Sequence, residues 1–280
     1  MNYSYNIGEY DVTAGQYAAF LNAVASTSDP YGLYNSAMSG LPGCGITQSS
    51  GPGGYTYTTN RNPNYPVNFV NWDVAAQFCN WLTNGQPTGA ERSGTTETGS
   101  YTLTTAVLNG SVAVTRNANA VYVLPTLNEW YKAAYYGPTL NGGAGGYWEY
   151  ATQSDTAPSN ILSATGTNNA NFFVEPNIFT DSTNYLTPVG AFADSPSAYQ
   201  TFDQNGNVTQ WDETYQPAGP PTAYAQVGGS YDGPPGSHRA NREFTPSRTS
   251  ARTIILGFAL HRLAPRFLSQ DQWQCWHSAV

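Results

Sequence analysis

Three cysteines (Cys44, Cys79, Cys275) and three histidines (His238, His261, His277) are the side chains of this 280-residue chain best suited to redox, nucleophilic or soft-metal chemistry. A cysteine becomes a nucleophile or a metal ligand as its thiolate, which needs a nearby cation, metal or helix N-terminus. Cys44 stands between Gly43 and Gly45 with nothing of that kind near it in sequence, and is expected to be an exposed, structural thiol. Cys79 falls inside a helical pattern and reads as a small core residue. No histidine stands at zinc-ligand spacing from a cysteine, and an odd cysteine count excludes a fully paired disulfide framework. The run Gly142–Gly146 follows a helical segment and contains no lysine, so it reads as a loop and not as a phosphate cradle. No serine is paired with a histidine, and acids spaced closely with bases are scarce.

What remains is a segment suited to binding. Gly228-Gly229-Ser230-Tyr231 permits a tight turn that larger residues would not tolerate. Twenty-six residues follow, Tyr231 to Leu256, with little hydrophobic periodicity, before Ile254–Phe258 reads as a final buried strand. An irregular stretch pinned at both ends is how a fold presents a surface.

Other elements must hold that stretch. Residues 5–12 alternate as a strand does. Thr13 and Gln16 have the spacing of a capping box, and the helix they open carries Tyr17, Phe20, Leu21 and Val24 on one face. Residues 30–66 read as an ordered loop with a hairpin at Gly54–Thr59. Pro66–Val70 reads as a short strand or an extended lead-in, and Asn71 caps a helix with Val74, Phe78, Trp81 and Leu82 on its apolar side. Residues 84–120 are expected to form a hairpin, from Tyr101–Thr105 and Ser111–Thr115. Val121–Pro125 leads into a second capping box, Thr126 with Glu129, and a third helix. From 150 onward the pattern is strands and loops, at Asn160-Ile161, Asn171–Phe173, Thr187–Gly190 and Thr201–Trp211. Helices early and irregular strands late make an α+β arrangement, with no linker-like break and no internal repeat.

Charged residues are only 10% of the chain, and the net charge is −8. A surface that is polar without being charged points to a displayed or extracellular protein. Residues 1–227 hold 4 basic and 15 acidic residues, a balance of −11; residues 228–280 hold 6 and 3, a balance of +3. The C-terminal quarter is therefore either a basic recognition face or a partner for the acidic body. Without a Lys/Arg run, and with a negative total, nucleic acid is not expected as a partner. Membrane insertion is not expected either, because no apolar run approaches the ~20 residues a spanning helix needs. No signal peptide is recognisable.

Seven landmarks in order resemble the formylglycine-generating enzyme / sulfatase-modifying-factor family, a branch of the C-type-lectin-like fold. They are Gly8–Thr13, Pro66-Val67-Asn68, Leu124–Thr126 with Glu129-Trp130, Pro188-Val189-Gly190, Asp203–Trp211, Gly228–Tyr231 and Gly257-Phe258. The resemblance implies one C-type-lectin-like α+β domain over residues 1–263, with few helices, short irregular strands and long loops. A tail at 264–280 is left over, whose Phe267, Leu268, Trp273, Trp276 and Cys275 would pack on the body or mediate self-association. The family's oxidase uses two cysteines after the Gly-Gly-Ser-aromatic motif to hold copper and attack a substrate thiol. Tyr231 to Leu256 contains none. The missing cysteines therefore imply no copper and no oxidase activity; a formylglycine-generating-type oxidoreductase or a diverged enzyme of that family is the alternative. It also implies calcium at Asp203, Gly206, Val208 and Gln210, oxygen donors of the kind Ca²⁺ takes, although Gln210 stands where the family has Glu. A second family site would use Asn160 and Ile161 with Asp181 or Tyr185.

A branch of this fold comprises the variable proteins of diversity-generating retroelements, in which adenine-directed mutagenesis randomises the segment between the two glycine motifs. The triplet Ala240-Asn241-Arg242 resembles the scaffold triplet there. Adenine randomisation of Asn-type codons cannot give Lys, Gln, Met, Trp or Glu, and Glu243 is the one such residue in 231–256. The chain departs from the pattern at Ala259, where Arg is usual. On this likeness the ligand face is Tyr231, Asp232, His238, Arg239, Asn241, Phe244, Arg248, Thr249, Ser250 and Arg252. Its partner would be a protein or surface ligand, since aromatic and Arg side chains are favoured at such contacts.

Overall fold

The computed structural model describes residues 3–176, 178–216, 223–234, 236, 239–240, 257–258 and 276–279. His238, Asn241, Phe244, Arg248, Thr249, Ser250, Arg252 and Cys275 lie outside them.

The three helices that position the rest begin where their capping residues stand. Thr13 caps α1 (Ala14–Val24) and exchanges hydrogen bonds with Gln16, and Asn71 caps α2 (Trp72–Thr83). Thr126 exchanges the same pair of bonds with Glu129 at the start of α4 (Leu127–Tyr135). Each cap satisfies N–H groups that a helix start leaves open, worth ~1 kcal/mol. The apolar faces of α1 and α2 then meet: Phe20 packs edge-on against Phe78 at 5.2 Å, and Trp81 and Tyr17 complete the cluster.

A four-stranded antiparallel sheet ties the chain ends to its middle. Its order is β10 (Trp276–Ala279), β1 (Tyr5–Gly8), β9 (Gly257–Phe258) and β4 (Tyr122–Val123). Gly257-Phe258 is thus an inner strand, and the last strand of the sheet comes from the tail beyond it. The hairpin β2 (Ile46–Gly51) and β3 (Gly54–Thr59) packs on α1, where Asn22 bonds both the N–H and the carbonyl of Tyr57. Short strands β5 (Tyr136–Gly137) and β6 (Gly146–Tyr147) follow α4.

The irregular ribbon of β7 (Gln210–Gln216) and β8 (Ala223–Val227) carries Trp211 and Tyr224 into the main core. Tyr224 stacks on Trp72 at 3.7 Å, with the rings 5° from parallel. The two tryptophan N–H groups are spent on backbone: Trp72 on Asp212 O at 2.9 Å and Trp211 on Val70 O at 2.9 Å. These bonds seat the ribbon over the start of α2.

Three expectations are corrected. Cys44 is fully buried: its N–H bonds Asn68 Oδ1 at 3.0 Å, and the Gly45 N–H bonds Met38 O at 2.7 Å, so the glycine-flanked turn folds inward. Residues 101–115 form no hairpin; Thr104 caps a single turn of helix, α3 (Thr105–Leu108). The stretches at Asn160, Asn171 and Thr187 are not strands, and their neighbourhood carries isolated bridges such as Asn171 with Gly206. Pro66 likewise makes an isolated bridge, to Thr13, so of the two readings of 66–70 the strand is not formed and the lead-in is.

Candidate functional site

The segment that opens at Gly228 starts as the glycines require. Gly228 and Gly229 take φ of +88° and +73°, values that L side chains adopt rarely. A Cβ on Gly228 would stand 3.1 Å from Gln204 O. The turn is locked to the 203–211 loop by Gly206 N–H to Gly228 O at 2.8 Å, and by Tyr231 N–H to Asn207 O at 2.9 Å.

Three predicted ligand residues fall within the described chain. Asp232 and Arg239 are exposed, and Tyr231 is half-buried against the core, its ring 5.7 Å from Tyr185. Arg239 Nε donates to Tyr150 Oη at 2.9 Å, and a terminal nitrogen lies 3.5 Å from Glu149. Ala240 is held by Glu149 O and by the Tyr131 hydroxyl, at 2.9 and 2.7 Å. Tyr231 thus rests on Tyr185 and Arg239 on Tyr150.

The turn to which the sequence assigned calcium runs from Asp203 to Gln210. Asp203 and Asn207 take left-handed φ of +61° and +57°, as the turn demands. Trp130 Nε1–H, which can only donate, bonds Gln210 Oε1 at 2.6 Å. That fixes the Gln210 amide so that its NH₂ faces Asp11 Oδ1 at 2.8 Å and the Asp203 carbonyl at 3.2 Å. The Gln210 amide is thereby committed to Trp130, Asp11 and the Asp203 carbonyl, and it brings no charge to the turn. Asp203 Oδ2 is itself engaged by the Gly190 N–H at 2.7 Å. Burial pushes the Asp203 carboxyl up to about 7. Asp11, 2% exposed, is raised by burial and then by the charge of Asp203, and its Oδ2 has no hydrogen-bond partner.

The second set is placed around the 171–185 loops. Asn160 spends its NH₂ on Ile178 O at 2.9 Å, and Ile161 is exposed. Asp181 caps its own turn, accepting from Thr183 N–H, Asn184 N–H and Asn184 Nδ2 at 2.8–2.9 Å, and Tyr185 O accepts from Asn171 Nδ2 at 2.8 Å. Among the described residues no group of three or more His, Cys, Asp or Glu is arranged to hold a metal.

Sequence reasoning missed a charged cluster whose members are far apart in the chain. Arg116 lies 2.9 Å from Glu129 and 2.7 Å from Glu213, and the Tyr101 hydroxyl donates to Glu213 at 2.9 Å. Burial pushes Glu129 up, but its bonds to Arg116 outweigh this and hold it below the usual carboxylate range. All four groups have partners, and together they clamp the start of α4. The capping box that named Glu129 was the one local signal for it.

The two described thiols are also unsuited to chemistry. Cys44 and Cys79 are fully buried, and burial raises both above the ordinary thiol value.

A family model for the sulfatase-modifying factor enzyme 1-like domain matches residues 2–262. The chain belongs to this family. Its fold is accordingly the C-type-lectin-like fold of the formylglycine-generating type. Among solved structures CarF is 18% identical at a TM-score of 0.55, over 91% of this chain and 86% of that one. Variable protein 1 of Treponema denticola is 17% identical at 0.48, over 90% and 83%. PvdO of Pseudomonas aeruginosa is 16% identical at 0.48, over 91% and 80%. No curated protein matches the sequence. Within this sulfatase-modifying-factor fold, no helix among the described residues is long and apolar enough to cross a membrane.

Proposed function

We propose that this member of the family is a non-catalytic binding protein whose variable surface is the segment after Gly228, in the manner of a retroelement variable protein. The observation that carries the reading is the absence of any cysteine from Tyr231 to Leu256, where the family's redox chemistry needs two. A thiolate is both the soft copper ligand and the nucleophile, and neither Ser nor His replaces it in both roles. Two features of the structure support it. The buried Cys44 and Cys79 cannot reach a substrate, and the exposed Arg239 stands over the Tyr150 ring, 5.8 Å from its centre. A binding face of this kind works by rigid aromatic and Arg anchors on a scaffold that does not move. Its partner is a protein or surface ligand, and display outside the cell suits the low-charge composition.

Sequencing many copies of the coding region from a dividing population tests this. Substitutions gathered at adenines in codons 231–256 are expected. Substitutions spread evenly over the gene would overturn the retroelement likeness.

A further inference from the structure

Asp29 and Glu91 grip the same turn from opposite directions. Asp29 Oδ1 and Oδ2 accept from the N–H groups of Leu33 and Tyr34 at 2.7 and 2.9 Å, closing a turn of its own chain. Glu91 reaches in from the 84–120 segment and accepts from the Tyr31 N–H at 3.2 Å with Oε2. Its other oxygen, Oε1, is buried and has no conventional donor, in a residue only 8% exposed. The two carboxyls thus converge on one short turn, Tyr31 to Tyr34, and the Asp29 charge acts on Glu91. Two carboxylates cannot hydrogen-bond without a proton or a cation between them.

Among the described residues neither Asp29 nor Glu91 forms an ion pair with a basic side chain. Glu97 adds a further acid, and Tyr17 and Tyr57 face the pair from α1 and β3. The Tyr17 hydroxyl is committed to Leu33 O at 2.7 Å, so it cannot serve as the missing donor.

We propose that Asp29 and Glu91 share one proton, carried by Glu91 and donated to Asp29, making a clasp between the 29–34 turn and the 84–120 segment that alkali releases. Asp29 is the acceptor because two backbone N–H groups already orient its oxygens, and the glutamate holds the proton because it is the more deeply buried of the two. Burial first, then the Asp29 charge, pushes the Glu91 carboxyl up to about 8. Ionisation then sets two negative groups against each other in a site without counter-charge, and the Tyr31 contact to Glu91 is pushed apart.

The experiment is hydrogen exchange at the amides of Tyr31, Leu33 and Tyr34 across about pH 6 to about pH 9, after correcting for the intrinsic base dependence, in the wild-type chain and in Glu91→Gln. The Gln amide keeps a donor toward Asp29 and cannot ionise. The wild type is expected to lose protection at these three amides by about tenfold or more as Glu91 ionises, while Glu91→Gln stays level. Protection that falls equally in both, or in neither, would overturn the proposal. If Glu91→Gln does not fold, a carbon-13 carboxyl titration of the wild-type chain decides. One glutamate titrating near about pH 8 supports the shared proton, and all glutamates titrating near the ordinary value of ~4.3 contradict it. Loss of turn protection on adding EDTA at fixed neutral pH would also contradict it, because the bridging charge would then be a metal ion.

Discussion

The indole N–H of Trp130 meets Gln210 Oε1 at 2.6 Å, and this one bond decides what the 203–210 turn can hold. A tryptophan N–H cannot accept, so the amide cannot flip without losing the bond. The NH₂ must then face Asp11 and the Asp203 carbonyl. A glutamine in this setting cross-links the turn through its own hydrogens, as a cation would through shared oxygens. Calcium at millimolar concentration, or EGTA, is expected to leave the wild-type Tm unchanged. Gln210→Glu places a third carboxylate near Asp11 and Asp203 and is expected to lose about 2–4 kcal/mol, part of it restored by calcium. A calcium-dependent Tm in the wild type would contradict the arrangement.

Arg116 holds two partly buried glutamates at once. Arg116→Met leaves both without their counter-charge and is expected to destabilise by about 3–5 kcal/mol near neutral pH. The loss should shrink in acid, where protonated Glu129 and Glu213 no longer repel. Urea unfolding of the variant at about pH 4 and about pH 7 checks both parts.

Asp212 is fully buried, and burial pushes its carboxyl up to about 8 although Thr214 N–H bonds it at 2.5 Å. A group whose folded pKa is raised binds its proton more tightly folded than unfolded. Its contribution is full below the unfolded value of ~3.9 and is lost as pH rises towards about 8. Stability should therefore decline across that window, and Asp212→Asn should flatten the decline. An identical slope in the variant would assign the pH dependence to other groups.

Trp72 joins α2 to the β7–β8 ribbon by its stack on Tyr224 and its bond to Asp212 O. Trp72→Phe keeps a ring but strands that carbonyl and opens a gap. The expected loss is about 2–3 kcal/mol, read as a lower urea midpoint with unchanged m-value.

The helices were legible in the sequence because their signals are local. Thr13 with Gln16 and Thr126 with Glu129 sit three residues apart, and both pairs form the bonds their types allow. The glycine turn at 228–229 was equally plain, since its backbone conformation is a property of two residues. The β7–β8 ribbon was not, because Trp211 and Tyr224 acquire their meaning from Trp72 and Val70, some 140 residues away. The same holds for the Arg116 clamp. Cys44 was misread because flanking glycines suggest exposure, whereas here they let the backbone turn into the core beside Met38. The turn at 203–210 was found from its spacing, but spacing says nothing of the tryptophan that orients Gln210.

The most direct measurement is turnover of a thiol-containing peptide in oxygenated buffer by the full chain supplied with copper(I). The account predicts no thiol consumption above a copper-only control, and none gained or lost when Cys44 and Cys79 are replaced by Ser or Ala. Copper-dependent oxidation of the peptide that disappears on replacing any one of Cys44, Cys79 or Cys275 would contradict it.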